Sequence, residues 1–200
     1  MMHPDTEIRF VSEEIGVGLF ATKLIPKGTI TWIKDELDII LKKEYIESLD
    51  DARKKVIYKY AYEDNDIEYV LNWDHAKYIN HSFNPNIVDT AYDFELAARD
   101  IQPGEQLTCD YGTLGGDEKF ESPPAEGSSR TRVYSNDYLT YYKEWDNMAK
   151  EAFKYFNKVD QPLKYLIHEK FIDKVNAVAN GTEPIDSILT LWNYDHPENS

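Results

Sequence analysis

The sequence predicts a mainly β fold with helical additions, closed by a C-terminal α-helical extension. Three observations carry that reading. Short runs of branched and aromatic residues, broken by turn signals, recur up to about residue 112. A stretch rich in Gly, Pro and Ser follows, over 113–132. Beyond it apolar residues recur at intervals of three and four, the period of a helix face.

Taken in order, 8–11, 17–22 and 29–34 read as strands, with Pro26-Lys27-Gly28 turning between the last two. Tyr45, Leu49, Ala52, Val56 and Tyr60 then fall on one face of a helix over about 42–60. Residues 67–71 return to strand character. Two more strands, 94–99 and 106–109, are joined by the turn Gln102-Pro103-Gly104-Glu105. Gly115, Gly116, Pro123, Pro124 and Gly127 make 113–132 a long loop with little regular structure. Ser135 or Asn136 caps a helix carrying Tyr138, Trp145, Phe153 and Phe156. Asp160 and Pro162 open a second, with Leu163, Ile167, Phe171 and Val175 on its face and Gly181 at its end. A shorter helix covers 185–192. The expected organisation is a domain over 1–112 with a helical insert at 42–60, a linker at 113–132, and a helical extension over 133–200 packing on or next to it.

Charge narrows the function. The 200 residues hold 37 acidic and 22 basic side chains, a net charge of −15. Of this, −11 falls in the first 135 residues. Phosphate affinity comes from clustered Lys and Arg, so direct nucleic-acid binding is not expected. An acidic field favours a basic partner. Cys109 is the only cysteine, which excludes an intrachain disulfide and a cysteine-rich zinc site. The five histidines (His3, His75, His81, His168, His196) are scattered, and no metal is expected. With no signal-like start and no apolar run of 18 residues, no membrane association is expected. The expectation is a soluble intracellular protein, cytoplasmic or nuclear, or a secreted effector without a readable signal; oligomeric state is not legible.

Three stretches carry chemistry. Gly16-Val17-Gly18 with Ala21 has the spacing G-x-G-x-x-A, but a strand follows where a dinucleotide site needs a helix. Glycines ahead of a strand let a ligand approach the main chain, or simply turn it. The second stretch is Tyr78-Ile79-Asn80-His81-Ser82-Phe83-Asn84-Pro85-Asn86, polar loop chemistry around a proline. The third runs Gly104-Glu105-Gln106-Leu107-Thr108-Cys109-Asp110-Tyr111-Gly112.

In this order, G-V-G-L-F-A-T with I-P-K-G-T, then Y-I-N-H-S-F-N-P-N, then P-G-E-Q-L-T-C-D-Y-G, the chain resembles the SET-domain family of S-adenosyl-L-methionine-dependent protein lysine methyltransferases. The resemblance covers roughly residues 8–112. It implies a β-clip: small curved sheets wrapped around a knot-like crossing. It implies that Gly16, Val17 and Gly18, with Ile15, contact S-adenosyl-L-methionine through the main chain. Asn80 and His81 would hold its methionine and adenine ends. Tyr111 would be the catalytic tyrosine beside the sulfonium and the target nitrogen, and the insert at 42–60 would shape a peptide groove. The implied partner is a basic protein or peptide bearing the target lysine.

The chemistry constrains that site further. A sulfonium methyl is attacked in line by a neutral amine, yet fewer than about one lysine in a hundred is neutral near pH 8. A narrow aromatic channel desolvates the ammonium and lowers its pKa. Tyr69, Tyr78 and Trp32 are candidate walls, packing being the commoner role for any one of them. Cys109 stands where the family often carries Phe or Tyr, and its small side chain predicts room for di- or trimethylation. Phe83 stands where cysteine is frequent, a packing change. Lacking further cysteines, the chain cannot close its site with zinc, so 113–132 or the helix at 137–158 is expected to supply the wall. Two other readings are a catalytically inactive SET-like module holding basic peptides in an acidic groove, and a scaffold working through its helices. A nicotinamide-dependent enzyme fits least.

Overall fold

The computed structural model describes residues 1–64, 68–114 and 120–192. The chain begins with an antiparallel pair, β1 (Thr6–Ser12) and β2 (Gly16–Ala21). Next come β3 (Ile30–Ile33), β4 (Ile39–Lys42) and two helices, α1 (Lys43–Glu47) and α2 (Asp51–Tyr60). β5 (Ala61–Glu63), β6 (Glu68–Leu71), the two-residue β7 (Asn80–His81), β8 (Ile87–Asp89), β9 (Phe94–Ala97) and β10 (Thr108–Cys109) follow. β11 (Phe120–Glu121) and β12 (Arg132–Val133) precede α3 (Asp137–Phe153) and α4 (Glu169–Ala179). The strands form five small sheets among the described residues: β1-β2, β3-β9-β8, β4-β6-β5, β7-β10 and β11-β12. Only β7-β10 is parallel. This is the mainly β fold with helical additions that the sequence predicts.

Several elements differ from that reading. The 42–60 segment breaks into α1 and α2 where Asp50 caps the second helix by accepting from Arg53 N–H. Its apolar stripe is not a core face: α2 buries no residue, and Tyr45 and Val56 are 54% and 56% exposed. Local bonds from Lys54 and Tyr58 to Glu47 hold the pair of helices instead. The strand at 67–71 is described from Glu68; Ile67 lies outside the described residues, as do Gly115, Gly116 and His196. Within the expected loop 113–132, Phe120 and Glu121 ladder with Val133 and Arg132.

The second C-terminal helix starts at Glu169, with His168 Nδ1 accepting from Lys170 N–H, not at Pro162. A single 3-10 turn, Lys164–Leu166, takes the intervening place. Gln161 explains the delay, because its side chain is committed to the sheet. Its Oε1 accepts from Ile30 N–H at 2.9 Å and its Nε2 donates to the Gly28 carbonyl at 2.7 Å. The expected helix at 185–192 is a 3-10 turn, Ile188–Leu191, capped by Ser187.

The β3-β9-β8 sheet is the partition of the molecule. Strand period puts Phe94 and Leu96 on one face with Val88, and a register shift between Ile30 and Trp32 brings both Ile30 and Ile33 to it, in a core shared with Trp145, Ala152, Phe153 and Phe156 of the C-terminal region. Burying each of these large side chains contributes about 1.5–3 kcal/mol. The other face carries Trp32, Ala97 and Ile87 into a second core with Leu19, Leu107 and Cys109. The functional stretches lie on this second side.

Candidate active site

Hydrogen bonds join the three sequence stretches. The parallel register pairs Asn80 with Thr108 and His81 with Cys109, so Asp110 and Tyr111 emerge beside the Asn-His pair. Two-residue strands have little ladder energy of their own. Asn86 fixes the crossing: its Nδ2 donates to the Gln106 carbonyl at 2.8 Å and its Oδ1 accepts from Thr108 N–H at 2.9 Å. The first stretch is tied in by Asn80 Nδ2, which donates to the Val17 carbonyl at 3.1 Å. Leu107 N–H donates to the Leu19 carbonyl at 2.8 Å, aligning β2 with the chain entering β10.

His81 is held neutral. Its Nδ1 accepts from Tyr111 N–H at 3.1 Å, which leaves the proton on Nε2. Burial pushes its pKa down to about 4, against the opposing pull of Asp110. Nε2 is buried with no hydrogen-bond partner among the described residues. Phe83, Tyr111 and Phe120 surround the ring at 4.2–5.3 Å between centroids.

Tyr111 is a neutral phenol. Burial, with Cys109 adding, raises its pKa well above the usual value of 10. Its hydroxyl donates to the Ile79 carbonyl at 2.8 Å, so the proton is committed and the oxygen lone pairs remain to accept. Burial also pushes the Cys109 thiol up, with Glu95, Asp89 and Asp110 adding.

Asp110 anchors the loop beneath. It accepts from Gly112 N–H at 3.0 Å, from Trp145 Nε1 at 3.2 Å and from Arg130. Arg130 also bonds Asp137 at 2.7 Å and stacks over Tyr141 and Phe83 at 4.0 and 4.6 Å. One guanidinium therefore ties the D-Y stretch to α3 and to the residue after Ser82. Its pairing with two buried carboxylates satisfies charges that would otherwise be costly to bury.

These elements open onto a cleft of about 1020 Å³. Of the expected site residues, Ile15, Asn80, His81, Tyr69, Cys109 and Tyr111 line it, as does Trp32. Gly16, Val17 and Gly18 lie in β2 and meet the site through Asn80 instead. An added Cβ on Gly18 would sit 2.7 Å from Asn80 Nδ2. Tyr78 is not a cleft residue; it packs edge-on to Tyr60 at 5.6 Å. Phe120, Tyr134, Tyr138 and Trp192 line the cleft from beyond residue 113. Sequence reasoning missed Arg130, Phe120, Asp89 and Glu95. Ten basic residues follow Asp110 in the sequence, so nothing there singles out Arg130 as its partner.

A sequence model of the SET domain matches residues 16–112. The chain carries a SET domain. Its small sheets, helical insert and C-terminal helices agree with that family's architecture. It is 33% identical over 135 residues to the Drosophila melanogaster histone-lysine N-methyltransferase trr. It is 28% identical over 132 residues to the human histone-lysine N-methyltransferase 2D. Each alignment covers 60% of this chain but only 5% and 2% of those relatives. Among the described residues no helix is long and apolar enough to cross a membrane.

Proposed function

We propose that this SET domain transfers a methyl group from S-adenosyl-L-methionine to the side-chain amine of lysine in a basic protein. The observation that carries this is the convergence of Asn80, His81 and a neutral Tyr111 on one aromatic cleft. The residues fit the cofactor: His81 Nε2–H is a buried donor without a partner among the described residues, amid rings against which a purine can lie. Ile15, Gly16, Val17, Gly18, Asn80 and His81 would hold it. When bound, it supplies an electrophilic sulfonium methyl.

The chain's own residues do the rest. Beside Tyr111 the rings of His81 and Phe120 exclude water, and desolvation there favours the neutral amine. Tyr111, its proton given to Ile79, can accept a hydrogen bond from that amine and orient it, which lowers the entropic barrier. Acidic side chains outnumber lysines around the cleft eight to four, which suits a basic segment. The relatives are named for histone lysine, and a histone tail is one such segment. The small Cys109 leaves room for di- or trimethylation, so mass spectrometry after exhaustive turnover should find more than the monomethyl product.

Transfer of radiolabelled methyl to a basic protein mixture tests the reading. Tyr111→Phe should reduce turnover by about 10²–10³-fold while cofactor binding persists in calorimetry. Asn80→Ala should lose cofactor binding as well. If the wild-type chain binds cofactor and basic peptides yet transfers no methyl, it is the inactive binding module instead.

A further inference from the structure

On the site side of the β3-β9-β8 sheet, one row of side chains has no role in the mechanism above. The registers pair Trp32 with Glu95 and Glu95 with Asp89, so the three stand side by side across the strands. All three line the cleft, together with Cys109 and Tyr62. Trp32 and Tyr62 meet edge to face at 6.0 Å. Asp89 accepts from the Thr113 hydroxyl. Glu95 is 4% exposed, and its Oε2 has no hydrogen-bond partner among the described residues.

An unpaired buried carboxyl costs several kcal/mol unless something satisfies it. No Lys or Arg pairs with Glu95 or Asp89 among the described residues, the nearby Lys34 being bound to Asp64 at 3.2 Å. Burial holds both carboxyls above the usual carboxylate range, with Asp89 adding for Glu95 and Asp110 adding for Asp89. The other titratable groups facing them are the Tyr62 phenol on β5, the Cys109 thiol on β10 and Tyr138 on α3. The N-terminal ammonium acts on Glu95 from farther off, engaged with Asp35 at 3.1 Å. Carboxyls short of a counter-charge beside an indole and a phenol ring make a receptor for an organic cation.

We propose that Glu95 and Asp89 form a cation subsite deep in the cleft that takes the head of a primary alkylammonium, the class of a protonated lysine side chain. The subsite rests on the methyl-transfer reading only for which alkylammonium arrives. At pH below the carboxyl titration, uptake of R–NH3+ by the protonated pair releases one proton to solvent, leaving an ammonium–carboxylate pair. Binding therefore strengthens as pH rises through the carboxyl titration and weakens once the amine itself loses its proton.

The test uses n-butylammonium chloride as the probe and neutral n-butanol as its control. Binding is followed by NMR at the Trp32 indole and Tyr62 ring resonances of the whole chain. The wild type should show saturable shifts with the cation and none with the alcohol. Glu95→Gln, which keeps the shape of a protonated carboxyl, should weaken cation binding about 10- to 100-fold. Asp89→Asn, measured the same way, gives a second reading should Glu95→Gln fail to fold. Equal shifts from cation and alcohol, or cation binding unchanged in the folded variants, would overturn the proposal. A wild type that binds n-butylammonium selectively but transfers no methyl keeps the subsite and removes the enzymatic reading. Methyl transfer without such selectivity does the reverse.

Discussion

The two faces of the β3-β9-β8 sheet are built from alternating residues of the same strands, yet they serve different ends. One presents Ile30, Ile33, Phe94 and Leu96 to the C-terminal aromatic residues in an apolar core. The other presents Trp32, Glu95 and Asp89 toward the cleft, where the Trp32 Nε1 and Glu95 Oε2 atoms have no partner among the described residues. The first face contributes stability. The second spends some of it, as sites commonly do. A strand that reads Phe-Glu-Leu-Ala can do both because its period is two.

Removing the covered face breaks the comparison most severely. Truncation after residue 112 strips α3 and Phe156 from Ile30, Ile33, Phe94 and Leu96. The fragment should show no cooperative thermal transition by circular dichroism and no cofactor binding by calorimetry. A folded, active fragment would mean that the C-terminal helices are dispensable to the site.

Arg130 is where the two sides are stapled together. Arg130→Ala leaves Asp110 and Asp137 buried without their cation and should cost about 3–5 kcal/mol in urea unfolding. Arg130→Lys should recover only part of that, since an ammonium lacks the planar fork that serves two carboxylates.

Two glycines sharpen the contrast. A Cβ at Gly28 would lie 2.6 Å from the Ala152 carbonyl, and its φ of +87° disfavours any side chain. Gly28→Ala should cost about 1–3 kcal/mol and leave cofactor affinity intact in the folded fraction. At Gly18 the obstacles are the flexible ends of Gln106 and Asn80, which can move. Gly18→Ala should cost less stability but weaken cofactor binding by displacing Asn80 from Val17. Calorimetry paired with thermal melts separates the two outcomes.

Sequence legibility divides along the same line. Gly-Val-Gly, Asn-His and Asp-Tyr were readable because each is contiguous and rigidly ordered along the chain. The aromatic spacing of α3 was readable because Trp145, Ala149, Ala152 and Phe153 are truly buried. β7 left no pattern, since two residues hold no periodicity and the pairing comes from Asn86, a tertiary staple. The apolar spacing in α2 misled because the helix lies at the surface and buries none of its residues. Glu95 was invisible for the opposite reason. A charged residue alternating with apolar ones reads as a solvent face, whereas both faces of this strand are covered. Arg130 sits in a Gly-Ser-rich stretch whose destination only the fold determines.

The smallest expected effect concerns charge at long range. The first 135 residues carry −11 of the net −15, and acidic groups predominate around the cleft. If the field draws a basic segment toward the cleft, encounter slows as salt screens it over a Debye length of about 8–10 Å. kcat/KM for a basic peptide should then fall several-fold from low to high ionic strength, with kcat nearly unchanged. Thermal stability should be less sensitive, because the apolar core beneath α3 does not depend on screening. A kcat/KM that is flat with salt would confine the charge to solubility and leave substrate choice to short-range contacts within the cleft.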